Sequence, residues 1–209
     1  NEMGLDDLGW DPLARLLDIQ TGPVLLLAIG IGVPLVSRDR GEDVLFLYAT
    51  RPVTPWSYTI GKMLAVALPA AALMFLPSLL MAILQFGLVD GFGLGEAFEL
   101  LAKSLLAALL LAAGYSGVTV GSSAAVKKAR WALLLTFACF LIPAGASELI
   151  FRNSVPYAFD VGTASEDMIA YLFGDEDLQF GMAGVFALAV WGVLGLLVTS
   201  ARVRREMIP

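Results

Sequence analysis

An all-α bundle of membrane-crossing helices is the fold class this sequence predicts, on three observations. Hydrophobic residues make up 58% of the chain and charged residues only 15%, where a soluble domain carries roughly 25% charged residues. So much apolar surface cannot be hidden in one small core, and lipid is the solvent that accepts it. Five apolar runs are long enough to cross a bilayer as helices, which takes roughly 17–25 residues each. The charges between those runs sort by sign onto two sides.

The five spans are read at residues 21–36, 60–86, 97–121, 131–150 and 180–201, and they form a single transmembrane domain over the whole chain. In the first, Thr21 is placed to cap and Pro23 suits a first turn. That span is short, so Arg38 is expected to snorkel at its end. The second carries Pro69 and Pro77; each lacks a backbone donor, and kinks are expected there. All five runs exceed the ~9–11 residues of a barrel strand and lack its strict alternation.

Ten of the thirteen basic residues fall on one side: Arg38, Arg40, Arg51, Lys62, Lys127, Lys128, Arg130, Arg202, Arg204 and Arg205. Arg15, Lys103 and Arg152 fall on the other, together with most of the acids. An excess of Lys and Arg marks the cytoplasmic side. Residue 1 is then outside and Pro209 inside, as five crossings require. The N-terminal stretch 1–20 spaces Leu5, Leu8, Leu13, Leu16 and Leu17 near helical period among acids, and is expected to lie along the outer surface. The outer segment 151–179 mixes aromatic and apolar residues with acids. It reads either as short helices at the outer interface or as an ordered loop.

Several function classes are excluded. With no histidine, neither bis-imidazole haem ligation nor an H-E-x-x-H zinc site can be built. Cys139 is the single cysteine, so no disulfide closes within the chain and no thiolate cluster forms. No metal or other cofactor is implied. A net charge of −6 gives no reason to expect nucleic acid as a partner. No phosphate-cradling G-x-x-x-x-G-K-[ST] loop occurs, so any ATP-derived energy must come from another subunit. Ser78, Gln85, Ser104 and Thr136 are the few polar residues at membrane depth. None of them is ionisable, which speaks against a proton-coupled carrier. Glu99 and Lys103, one turn apart, are expected to pair.

The inner segment 38–59 is longer than a turn. Asp39 and Glu42 stand in a capping-box relation, and Val44, Leu45, Leu47 and Tyr48 then give a short apolar face. Arg51-Pro52 stops that helix. Thr54-Pro55 opens the next, with Trp56 and Tyr58 as interfacial aromatics. An amphipathic helix lying parallel to the membrane is expected, able to anchor in headgroups or to dock into a partner's groove.

The run Tyr48-Ala49-Thr50-Arg51-Pro52-Val53-Thr54, followed by Tyr58-Thr59-Ile60-Gly61-Lys62, resembles the signature of type-two ABC exporter permeases. The nearest branch is that of the permeases for multicopper-enzyme and nitrous-oxide-reductase maturation. The resemblance covers residues 38–62, and the span layout extends it over the chain. It implies that the helix from Val44 to Tyr48 is a coupling helix docked on an ATP-binding-cassette subunit. Glu42, Asp43, Val44, Leu45, Leu47, Tyr48 and Arg51 would carry the contact. Two ATPase subunits, a second permease copy (identical or not) and the cytoplasmic membrane of a prokaryote are the implied partners and setting. ATP would be hydrolysed in the partner, not in this chain.

Family members have six spans with both termini in the cytoplasm. The five read here would then be the second to sixth, with a first span preceding Asn1, and segment 151–179 would hold gate helices. The alternative is a non-transporting scaffold subunit of a larger membrane complex. Finally, Gly114, Gly117 and Gly121 make a small-residue stripe that permits close helix approach, within one subunit or across a dimer seam.

Overall fold

The structure, a computed structural model, describes residues 11–44, 53–88, 93–150, 160–173 and 181–207. Among these residues the elements are six helices: α1 (Asp11–Gly41), α2 (Pro55–Leu88), α3 (Leu94–Ala125), α4 (Ala129–Ile150), α5 (Val161–Phe173) and α6 (Gly181–Met207). All but α5 are long and apolar enough to cross a membrane. Such a set is the build of a multi-pass membrane protein.

The middle of the bundle is α3, which touches each of the other five helices. Every residue from Gly114 to Ala124 is buried, and nearly all of them are small or carry a hydroxyl. Small side chains let backbones approach, which is how helices associate where lipid removes the hydrophobic drive between them. By contrast α4 turns large apolar residues outward: Trp131, Leu134, Phe137, Leu141 and Ile142 are all exposed. That is the face expected against acyl chains.

The first helix differs from its sequence-based bounds at both ends. It begins at Asp11 instead of Thr21, so residues 11–20 are one helix with the first span and not a separate surface segment. The reason is the phase of its buried face. Leu13, Leu17, Val24 and Ala28 are all buried at a spacing that keeps them on one side of a helix, and this stripe runs unbroken past Thr21 and Pro23. The Thr21 hydroxyl caps nothing; it donates to the Asp18 carbonyl at 2.6 Å within the helix. Pro23 and Pro34 lie inside α1, as membrane helices tolerate when neighbours re-satisfy the freed groups.

The second helix starts earlier than residue 60, at a true N-cap. The Ser57 N–H donates to Thr54 Oγ1 at 3.2 Å and Pro55 takes the first turn. It continues through Pro69 and Pro77 as one helix. Within segment 151–179, α5 is capped by Asp160, whose carboxylate accepts the Gly162 and Thr163 N–H groups at 3.3 and 3.1 Å. Val161, Ala164, Ser165, Met168, Ile169 and Phe173 form its buried face. They seat α5 among α1, α3 and α6, wedged into the bundle instead of lying loose beside it.

Candidate functional site at the basic end of the bundle

The last turns of α1, α3 and α6 meet the first turns of α2 and α4 at the end that carries most of the basic residues. Segment 38–59 enters here. Two ionic clamps hold its roots.

The first clamp joins α1 to α2. Asp39 accepts an ion pair from Lys62 at 2.7 Å and a hydrogen bond from the Tyr58 hydroxyl at 2.6 Å. Lys62 also donates to the Leu35 carbonyl at 3.3 Å, and its ammonium lies 5.3 Å from the Tyr58 ring centroid. Asp39 therefore belongs to the last turn of α1 and does not cap a following helix. Likewise Glu42 reaches back to Arg38 at 2.9 Å, one turn away, and closes no capping box. The chain leaves α1 through Asp43, whose φ of 53° lies in the left-handed region. Aspartate and asparagine tolerate this better than other side chains.

The second clamp joins α1 to α3 and α6. Arg40 is only 6% exposed, and a cation so buried must be paired. Its Nε donates to both carboxylate oxygens of Glu206 at 3.1 Å, and Nη2 reaches Oε1 at 2.6 Å. Nη1 donates to the Ala124 carbonyl, one of the free acceptors at the C-terminus of α3.

A third fastening uses no charge. The Ser123 hydroxyl of α3 accepts the N–H groups of Val36 and Ser37, at 3.0 and 2.9 Å, and donates to the Val33 carbonyl at 2.6 Å. It thus bridges an N–H and the carbonyl four residues earlier, alongside the α1 ladder. This happens just after Pro34, where the ladder already lacks a donor.

Of the residues the sequence singled out, Glu42 and Asp43 are exposed and Val44 is half-buried. Leu45, Leu47, Tyr48 and Arg51 lie outside the described residues. Gly114, Gly117 and Gly121 all face α6, against Leu188, Trp191, Gly192 and Gly195. A Cβ at Gly117 would collide with the backbone of Trp191 and Gly192, so the stripe here is a seam within the chain. Glu99 and Lys103 pair at 2.8 Å, as their spacing predicts. Ser78 and Ser104 bond carbonyls of their own helices, whereas Thr136 shares a hydrogen bond with Ser122 across α3 and α4. Arg40, Glu206 and Ser123 were not singled out by sequence. For the ion pair one signal existed: Glu206 is the single acid in a tail that carries Arg202, Arg204 and Arg205.

The opposite end gathers acids around α5. Burial raises the carboxyl pKa of Glu166, and the negative charges of Asp18, Asp167 and Asp160 raise it further. Burial alone pushes Asp167 up, and its Oδ2 is buried without a hydrogen-bond partner. Nearby, the buried Tyr115 hydroxyl donates to Ser165 Oγ at 3.4 Å. Among the described residues no group of three or more His, Cys, Asp or Glu side chains is placed to hold a metal ion.

Compared with known proteins, the chain matches no family model, no curated protein and no solved structure.

Proposed function

We propose that this chain is the transmembrane permease subunit of an ATP-binding-cassette transporter in a prokaryotic cytoplasmic membrane. In this reading the basic end faces the cytoplasm, following the positive-inside rule. Two copies, or two related subunits, form the pathway, and separate ATPase subunits supply the energy. The observation that carries the reading is the pattern of residues 38–62, set on roots that are clamped to the bundle. A segment that passes a push or pull from a partner to membrane helices needs roots that do not slip. Asp39–Lys62 fixes its two sides to each other, and Arg40–Glu206 fixes its entry to α3 and α6. Exposed Glu42 and Asp43 then face a partner groove of opposite charge, and closure of the ATPases tilts the spans.

Co-purification tests this. The full chain is tagged and captured in mild detergent from the membranes of its own source cells, and an ATP-binding-cassette subunit is sought in the complex by mass spectrometry. Wild type should retain the ATPase. The variant Glu42→Lys with Asp43→Asn should lose it while inserting normally, since asparagine keeps the left-handed turn available. Unchanged capture by that variant would remove the docking assignment. Absence of any ATPase from the wild-type complex would favour a scaffold subunit.

A further inference from the structure

On the flank of the basic end, between the start of α2 and the end of α6, lies an open cavity of about 740 Å3. That is within the ~300–1,000 Å3 range of sites for small molecules. Pro55 and Trp56 wall it on one side, and Leu197, Ser200, Arg204 and Arg205 on the other.

Three properties of different origin meet there. Arg204 and Arg205 are exposed, and neither forms an ion pair with a described residue. Arg38, Arg40 and Lys62 at the same end are all paired. The cavity is therefore one of the places at this end, with exposed Lys127, Lys128 and Arg202, where positive charge is left uncompensated. It also sits at the N-terminus of a 34-residue helix, whose dipole favours an anion, although Thr54 already caps the Ser57 N–H. Finally, its wall is apolar on the side away from the charges. Exposed Leu197 and Leu194 on α6, and Ile60 and Leu64 on α2, continue at helical spacing below Trp56. An inorganic anion would use the arginines but gain nothing from that wall. A molecule with a phosphate at one end and hydrocarbon at the other uses both.

We propose that this cavity seats an anionic phospholipid of the leaflet on the basic side. Its phosphate lies on the Arg204 and Arg205 guanidinium groups, which match phosphate geometry. Trp56 sits at headgroup level, where interfacial tryptophans belong. The acyl chains run along the groove between α2 and α6. The site needs only a multi-pass protein with this charged end, so it stands apart from the transporter reading.

The test is native mass spectrometry of the full chain in detergent, titrated with phosphatidylglycerol or phosphatidylcholine. Wild type should bind phosphatidylglycerol in preference. Each interfacial arginine contributes ~5-fold, so Arg204→Gln with Arg205→Gln should weaken binding on the order of 30-fold. Ser200→Trp sets an indole across part of the cavity and leaves every charge in place; it should weaken binding, and it carries the test should the double variant fail to fold. Lys127→Gln with Lys128→Gln alters the same end outside the cavity and should change little.

Equal losses in the lysine and arginine variants would overturn the site in favour of diffuse surface charge. Wild-type binding by Ser200→Trp would overturn it too. Displacement of the lipid by inorganic phosphate alone would make it a phosphate site instead. Loss of self-association in Ser200→Trp, with lipid retained, would assign the face to a second copy.

Discussion

The two ends of the bundle are fastened by opposite means. At the basic end, opposite charges meet: buried Arg40 with half-buried Glu206, and half-buried Lys62 with Asp39. At the acidic end, exposed Glu166 and half-buried Asp167 lie beside further acids, and capping and apolar packing hold α5 in place. The difference has a physical consequence. A buried ion pair resists separation because either partner left alone is an uncompensated charge. A desolvated carboxyl cluster instead holds more firmly as protons neutralise it. One end is locked, and the other is adjustable by pH.

The largest effect that would break this contrast is expected from Arg40. Replacing it with alanine strands Glu206 and the Ala124 carbonyl. Destabilisation of about 3 kcal/mol follows from the lost charged hydrogen bonds and the stranded carbonyl, since Glu206, about a third exposed, keeps part of its hydration. Thermal unfolding in detergent would read it as a large fall in Tm, and a second change, Glu206→Gln, should recover part of it. A Tm like that of wild type would mean that the basic end is not locked by this pair.

Between the two ends runs the α3–α6 seam. Gly117→Ala places a methyl group against the Trp191 and Gly192 backbones, and overpacking of this kind costs about 1–3 kcal/mol. Because the seam belongs to neither end, both should loosen. Hydrogen exchange would show faster amides in α5 and around Arg40 alike; loosening at one end only would mean that the ends are independent.

Ser123→Ala should cost less, about 1 kcal/mol, since the freed N–H groups of Val36 and Ser37 can partly return to their own helix. Its mark should be local. Exchange should rise at residues 33–37 and not in α5, and equal exchange at both places would contradict the assignment.

The smallest effect is the pH response of the acidic end. For Glu166 and Asp167 the folded pKa is raised above the unfolded value. Their contribution is thus fully present below the ordinary carboxylate range and is lost as pH rises through the raised folded values. Acidification toward that range should strengthen the seating of α5, measured as slower amide exchange across Val161–Phe173. Glu166→Gln with Asp167→Asn should flatten the response. An α5 that loosens on acidification would reverse the sign and refute the account.

What the sequence disclosed follows from how local each signal was. Five spans are legible because an apolar run of bilayer length needs no tertiary information, and the Thr54-Pro55 start of α2 is legible because a cap is spelled in adjacent residues. The start of α1 is masked in the sequence because Thr21 and Pro23 also spell a start. The competing signal, the common phase of Leu13, Leu17, Val24 and Ala28, was the stronger one. Asp39 spells a cap for the same reason: its partner, Lys62, lies on the next helix. The Arg40–Glu206 pair spans 166 positions, a distance no local pattern encodes. The glycine stripe was visible, but only coordinates assign it to α6. Leu45, Leu47, Tyr48 and Arg51, which the sequence pattern proposes as docking residues, lie outside the described residues.

The bridge that Ser123 makes to α1 gives the last two turns of that helix a second owner. At Val36 and Ser37 its N–H groups also bond a hydroxyl on α3. The segment after Gly41 is therefore rooted, mechanically, in the most buried helix of the protein. A displacement there does not travel the length of α1 to reach the centre. It is already at the centre, one hydrogen bond away from the stretch of α3 that packs against α6.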